Sequence, residues 1–186
     1  MKKGKLIVIS GASGVGKGTV LGLMMQKRSD LLFSVSATTR APRPNEEDGV
    51  HYYFITKERF EDMIARGEFL EYDAHHANYY GTPRIQAEEK QEKGHVLLDI
   101  EPMGAKQVKA AKPDAVLVFI KPPSMEELER RLRGRGDTPE DQIAMRMERA
   151  VWEMEQRSWY DYVVVNDDAD RCAEEILAII ALKADK

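Results

Sequence analysis

The stretch from Lys5 to Thr19, KLIVISGASGVGKGT, constrains the fold of this chain more than any other. Leu6, Ile7, Val8 and Ile9 form an unbroken apolar run, as expected of a strand buried on both faces in a parallel sheet. Gly11, Gly14, Gly16 and Lys17 follow at the G-x-x-x-x-G-K spacing of a phosphate-binding loop. Backbone can wrap a polyphosphate only where no Cβ blocks the approach and the required dihedrals are allowed. The loop Gly11, Ala12, Ser13, Gly14, Val15, Gly16, Lys17, Gly18 and Thr19 then turns its N–H groups inward at a helix N-terminus. Lys17 reaches the terminal phosphates as a point charge. The bland alternative is a glycine-rich turn with an incidental lysine, and the register of strand, loop and following helix argues against it.

A chain of 186 residues has room for one substantial core with small inserted lobes. Its 42% hydrophobic and 32% charged residues are ordinary for a soluble globular protein. The net charge of −4 gives no overall basic field, so neither nucleic acid nor a membrane is expected as a partner. Cys172 stands alone, which excludes an internal disulfide or a cysteine zinc cluster and fits a reducing compartment. It reads as a small buried apolar residue. The N-terminal MKKGKLIVIS mimics a secretory signal, but its apolar run is too short and the loop glycines follow at once. The next apolar run, residues 115–120, is far below the roughly 20 residues needed to span a bilayer. A cytoplasmic protein is expected.

Val20, Leu21, Leu23, Met24 and Met25 place a helix over residues 17–28. A strand over 33–37 then leads into SATTRAPRPNEEDG, where Pro42 and Pro44 stiffen a loop carrying Arg40 and Arg43. Two arginines three apart on a rigid turn suit an incoming phosphate, since each guanidinium can grip two oxygens. A solvated basic loop beside Glu46, Glu47 and Asp48 accounts for them equally well. Short strands at 52–55, 69–72 and 77–82 and a helix at 57–66 suggest a small mixed lobe. The adjacent His75 and His76 point apart on an extended segment and do not suggest a metal site.

A helix is expected from Pro83 to Lys93, then a core strand over 95–100 ending near Asp99. A carboxylate at the C-terminal end of a parallel strand faces the ligand crevice, so Asp99 either orders magnesium through water or caps the next helix. A third core strand covers 115–120. Ser124 and Glu127 then form a capping box for a helix running into RRLRGRGDTPED. There Arg130, Arg131, Arg133 and Arg135 surround Gly134 and Gly136, describing either a solvated face or a hinged, positively charged lid. Thr138 and Pro139 open a helix bearing Arg146 and Arg149. A last core strand at 162–165 ends in Asn166, Asp167 and Asp168, and a final helix covers 170–182. The expected fold is α/β, a doubly wound parallel P-loop sheet with an inserted small mixed α/β lobe and a helical lid. The core is expected at 1–33, 83–125 and 156–186, the lobe at 34–82 and the lid region at 126–155.

Taken together, GASGVGKGT, SVSATTRAPRP, Gly49 to Tyr52, E-F-L-E, N-Y-Y-G-T, L-D-I-E, R-G-R-G and V-V-V-N-D-D resemble the guanylate kinases over nearly the whole chain. That family phosphorylates GMP, and dGMP, from ATP with magnesium. GKGT, with Gly18 in the usual Ser or Thr position, is the form found in nucleoside monophosphate kinases, and it directs the Thr19 hydroxyl to a phosphate oxygen. The resemblance implies that Arg40, Arg43, Tyr52 and Tyr80 hold the GMP phosphate. It places Ser36, Glu71, Thr82 and Asp99 around guanine, with Glu101 beside them. Arg131, Arg135 and Arg146 would close on the phosphates, and Asn166 and Asp167 would lie beside adenine. Two positions depart from the family pattern D-I-D followed by Q-G. Glu101 keeps the charge on a longer arm, and Met103 replaces an amide.

On this reading Lys17, Arg40, Arg43, Asp99, Arg135 and Arg146 are the catalytic set, and in-line transfer needs positioning and charge stabilisation rather than a protein base. Two other readings stand beside it. One is a P-loop kinase for another nucleoside monophosphate or a sugar phosphate. The other is a non-catalytic guanylate-kinase-like binding module, of a kind that characteristically lacks a working phosphate loop. The sequence does not decide between monomer and homo-oligomer.

Overall fold

The computed structural model describes residues 3–75, 77–134 and 139–184. In chain order its elements are β1 (Leu6–Gly11), α1 (Lys17–Lys27), β2 (Leu31–Phe33), β3 (Ala37–Thr38), β4 (Tyr53–Phe54), α2 (Lys57–Ala65), β5 (Phe69–His75) and β6 (Asn78–Pro83). There follow α3 (Arg84–Gln91), β7 (His95–Asp99), α4 (Pro102–Ala111), β8 (Val116–Lys121), α5 (Met125–Gly134), α6 (Glu140–Gln156), β9 (Tyr162–Val165) and α7 (Ala169–Ala184).

Five strands form a sheet in the order β2-β7-β1-β8-β9, every pair parallel. Alternate side chains of its central strands enter two different cores, as the strand period of two requires. Ile7, Ile9, Leu97, Val118 and Ile120 face α1, α5 and α7 through Val20, Met24, Leu128, Leu132, Ile176 and Ile180. Leu6, Val8, Leu98, Leu117 and Phe119 face α3 and α4 through Ala87, Ala105 and Val108. Helices cover both faces, which explains the unbroken apolar runs. Cys172 is fully buried on the α7 side, and burial pushes its thiol up to about 12.

The chain leaves this sheet between β2 and β7 to build a second one, ordered β4-β3-β6-β5, with both parallel and antiparallel pairs. Its core is Phe60 of α2, stacked on Phe69 at 4.3 Å and on Tyr79 at 5.2 Å between centroids.

Three local expectations change. The strand expected over 33–37 is two strands in two sheets. Ser34 N–H donates to Leu97 O at 2.9 Å in the first, and Ser36 O accepts from Tyr53 N–H at 2.9 Å beside the second, so the backbone changes partners across a three-residue corner. Pro83 ends β6 rather than starting α3. The capping box at α5 is half formed. Ser124 Oγ accepts from Glu127 N–H at 3.2 Å, but the Glu127 carboxylate turns to Arg130 and Arg131 instead of back to the cap. Thr138, expected to cap α6, lies outside the described residues.

Phe60 is fully buried in a core of few residues, so Phe60→Ala should cost about 3–5 kcal/mol of stability. Urea unfolding checks this. A loss under about 1 kcal/mol would mean that the aromatic stack does not hold the second sheet together.

Candidate active site

Because all five strands of the first sheet are parallel, their C-terminal ends share one side, and the cleft opens there. The loop after β1 reaches α1 through Gly16 at φ 94°, in the left-handed region that favours glycine. No side chain caps α1 and no acid sits in its first turn, so the free N–H groups of the helix start are left to the cleft. Neighbouring elements brace the loop. Val15 O accepts from Asn166 Nδ2 at 2.8 Å and from the Arg131 guanidinium at 3.4 Å, and Arg131 also donates to Asn166 O at 2.9 Å. Ser13 N–H donates to Glu153 Oε2 of α6 at 2.7 Å.

β1 and β7 pair with Ile9 opposite Asp99, which sets that carboxylate beside the loop. Lys17 Nζ lies 2.7 Å from Asp99 Oδ1. Burial works against the charge of Lys17, but Asp99 and Glu101 outweigh it and hold the lysine firmly protonated.

Beside this pair opens a recess lined by Lys17, Ser36, Tyr52, Glu71, Asp73, Tyr80, Gly81, Asp99, Ile100 and Glu101. Glu71 is its buried acid, 5% exposed. Thr82 donates its hydroxyl to Glu71 Oε1 at 2.6 Å. The first turn of α4 closes the other side at Gly104, where a methyl group would collide with the Glu71 carboxylate. α4 is docked there by Gln107, which accepts from Tyr72 N–H at 3.1 Å and donates to Tyr72 O at 2.8 Å. Burial pushes the Glu71 carboxyl up to about 7, against the opposing pull of the Thr82 hydroxyl.

A second recess holds the loop from Gly11 to Thr19 together with Arg40, Arg43, Asn78, Tyr80, Glu101, Arg146, Arg149 and Glu153. Arg40 forms a two-pronged pair with Glu46 at 2.8 and 2.9 Å, and its guanidinium lies 5.5 Å from the centre of the Tyr52 ring. The pairing with Arg40 pulls the Glu46 carboxyl down to about 2, and Glu46 also accepts from Arg43 N–H at 2.7 Å. Arg149 bridges Glu153 at 3.0 Å and Glu101 at 3.4 Å. Burial and the neighbouring Glu101 charge push Glu153 up to about 7, whereas Lys17 and Arg149 overcome burial to hold Glu101 below the usual carboxylate range. A third recess runs outward along Gly14, Val15, Gly16, Thr19, Arg130, Arg131, Gly134, Asn166, Asp167 and Ala169.

The first two recesses share Lys17, Tyr80 and Glu101, and the last two share Gly14, Val15, Gly16 and Thr19, so the cleft is continuous. It brings together the loop, Ser36, Arg40, Arg43, Tyr52, Glu71, Tyr80, Asp99, Glu101, Arg131, Arg146, Asn166 and Asp167. Thr82 is fully buried behind Glu71 and orients it rather than lining the recess. Arg135 lies outside the described residues. Glu46, Arg149 and Glu153 also belong to this cleft region, though the sequence did not mark them as parts of the site. Arg146, Arg149 and Glu153 recur at spacings of three and four, which puts them on one helical face, and that spacing was the available signal.

The profile of the family described as guanylate kinase matches residues 3–183. A guanylate kinase of Trichormus variabilis is 49% identical over 174 residues, covering 93% of this chain and 87% of its own length. One of Clostridioides difficile is 48% identical over 187 residues, covering 100% of this chain and 91% of its own. The crystal structure of guanylate kinase from Anaplasma phagocytophilum superposes with a TM-score of 0.80 at 34% identity, covering 99% of this chain and 88% of that one. With a phosphate loop, a buried acid and a bank of arginines along one continuous cleft, and with likeness running the length of the sequence, the chain belongs to the guanylate kinase family.

Proposed function

We infer that this chain transfers the γ-phosphoryl group of ATP to GMP, and to dGMP, as a cytoplasmic enzyme of purine nucleotide metabolism. The observation that carries the reading is Glu71, a buried carboxyl group in a recess that opens onto the phosphate loop. The Watson–Crick edge of guanine offers N1–H and a 2-amino group as adjacent donors, and an ionised carboxylate accepts both. Ser36 in the same recess can donate to O6. Adenine offers an acceptor at N1 and would face the carboxylate lone pair to lone pair.

The same cleft supports the rest of the assignment. The lobe at 34–82 would take the acceptor, with Arg40, Arg43, Tyr52 and Tyr80 on its phosphate. The loop and Lys17 would take the ATP phosphates, and the recess of Arg131, Asn166 and Asp167 would take adenine. Arg146, which lines the recess of the loop, would add positive charge there, and Arg135 keeps the same role only as an expectation from the sequence. An oxygen of the GMP phosphate attacks the γ-phosphorus, the bond from that phosphorus to the β,γ-bridging oxygen breaks, and ADP leaves with the electron pair. The nucleophile is already ionised, so the chain contributes alignment and charge stabilisation.

Among the described residues no group of three His, Cys, Asp or Glu side chains is placed to hold a metal ion. Asp99, with one oxygen on Lys17, suits a hard divalent ion that arrives coordinated mainly by phosphate and water. Magnesium supplied in that way would neutralise charge on the ATP phosphates, with Asp99 as its contact on the protein. No helix among the described residues is long and apolar enough to cross a membrane.

Lys17→Ala should lower the transfer rate about a hundredfold or more while the Kd for GMP stays within about twofold. A coupled assay for ADP and calorimetry with GMP check the two halves, and near-full activity would refute the role of the loop.

Glu71→Gln should lower kcat/KM for GMP steeply and narrow its advantage over AMP, because an amide can donate to N1 of adenine. Measuring both acceptors in both proteins decides it, and an unchanged ratio would remove Glu71 from base recognition. The pH dependence gives a second test. The free carboxyl sits near 7, above its ordinary 4.5, so it takes up a proton as the pH falls through 7. Guanine selects the ionised form, and the GMP affinity should therefore fall below pH 7 by up to about tenfold per unit. Glu71→Gln has nothing to titrate there and should lose that component of the slope.

A further inference from the structure

Glu153 is 1% exposed, although the adjacent Val151 and Trp152 of the same helix face solvent. One oxygen accepts Ser13 N–H at 2.7 Å, and the other accepts Arg149 Nε at 3.0 Å. Arg149 continues to Glu101 Oε2 at 3.4 Å. A chain of side chains thus joins the end of β7 to α6 and α6 to the phosphate loop. A carboxylate beside a polyphosphate site brings repulsion, so its burial against the loop calls for a compensating role. The far side of the loop, at Val15 O, is held by Asn166 and Arg131. On the near side Ser13 N–H is held by Glu153.

We propose that Glu153 is a positioning residue for the donor polyphosphate, fixing the outer turn of the phosphate loop through Ser13 N–H, with Arg149 keeping the carboxylate aimed by bridging it to Glu101. The placement of α6 is thereby transmitted to the loop. ATP as the polyphosphate rests on the function proposed above, but the contact does not depend on which acceptor is used.

The test is equilibrium binding of ATP alone and of GMP alone to the full chain, for wild type, Glu153→Ala and Glu153→Gln, with thermal midpoints to confirm folding. Loss of the hydrogen bond from Ser13 N–H should weaken ATP binding in Glu153→Ala by roughly tenfold, with GMP within about twofold. The amide oxygen of Glu153→Gln still accepts Ser13 N–H and should restore most of the loss. ATP binding within about threefold of wild type in Glu153→Ala would overturn the proposal, as would Glu153→Gln no tighter than Glu153→Ala. So would equal losses for ATP and GMP, which would mean a general loosening of the fold. ATP binding without an acceptor reads the loop by itself. If wild type bound ATP but did not phosphorylate GMP, the proposed function would fail while the result on Glu153 stood.

Discussion

Where β1 ends and α1 begins, several backbone N–H groups have no carbonyl of their own to bond, and the molecule is built around that deficit. An interior cannot leave such groups unpaired, so the turn must open on a cleft or be met by other elements. Both happen. β1 occupies the middle of its sheet, which puts the ends of β7 and β8 on either side of the turn and the end of β9 one strand further out. β7 delivers Asp99 to Lys17, and the residue just after β9, Asn166, secures the carbonyl of Val15. From above the sheet, α6 brings Glu153 to Ser13.

The second theme is charge. A cleft for two polyanions needs cations, and cations left alone at half-buried positions would repel one another and wander. Here three of the cations have acids opposite them: Lys17 with Asp99, Arg40 with Glu46, and Arg149 with Glu101 and Glu153. The partners come from a core strand, from the loop of the second sheet and from α6. Such pairs hold long side chains in place before any ligand arrives, and an incoming phosphate must compete with them. Their net value lies more in geometry than in stability, since desolvation offsets much of the attraction.

How much of this was legible in the sequence follows from the range of the interactions. The phosphate loop and the core strands at β1, β7, β8 and β9 are written in contiguous residues, because a doubly covered parallel strand must be apolar throughout. The corner between β2 and β3 is not, because Ser34 N–H donates into the first sheet, Ser36 O accepts from a strand of the second, and nothing local marks the change. Glu71 was found through resemblance. Its burial depends on Thr82 and on Gly104, which lie 11 and 33 positions away. Glu46 looked like part of a solvated acidic run, and Glu153 like an ordinary helix glutamate. Glu153 becomes part of the site only when α6 folds over a loop 140 positions away, whereas Glu46 is held by its near neighbours Arg40 and Arg43 and joins the site because their loop lines the cleft.

The chain's lone thiol also has a practical meaning. Cys172 sits in the packed face beneath α7, with no exposed surface and little tendency to ionise, and a thiol must ionise to attack an electrophile. In chemical terms the native surface is blank to maleimides and other thiol-directed labels. A pair of surface cysteines, one on α2 and one on the outer face of α6, would therefore carry dyes or spin labels with no competing site to remove first. The separation of α2 in the second sheet's unit from α6 could then be followed in a protein whose core is untouched.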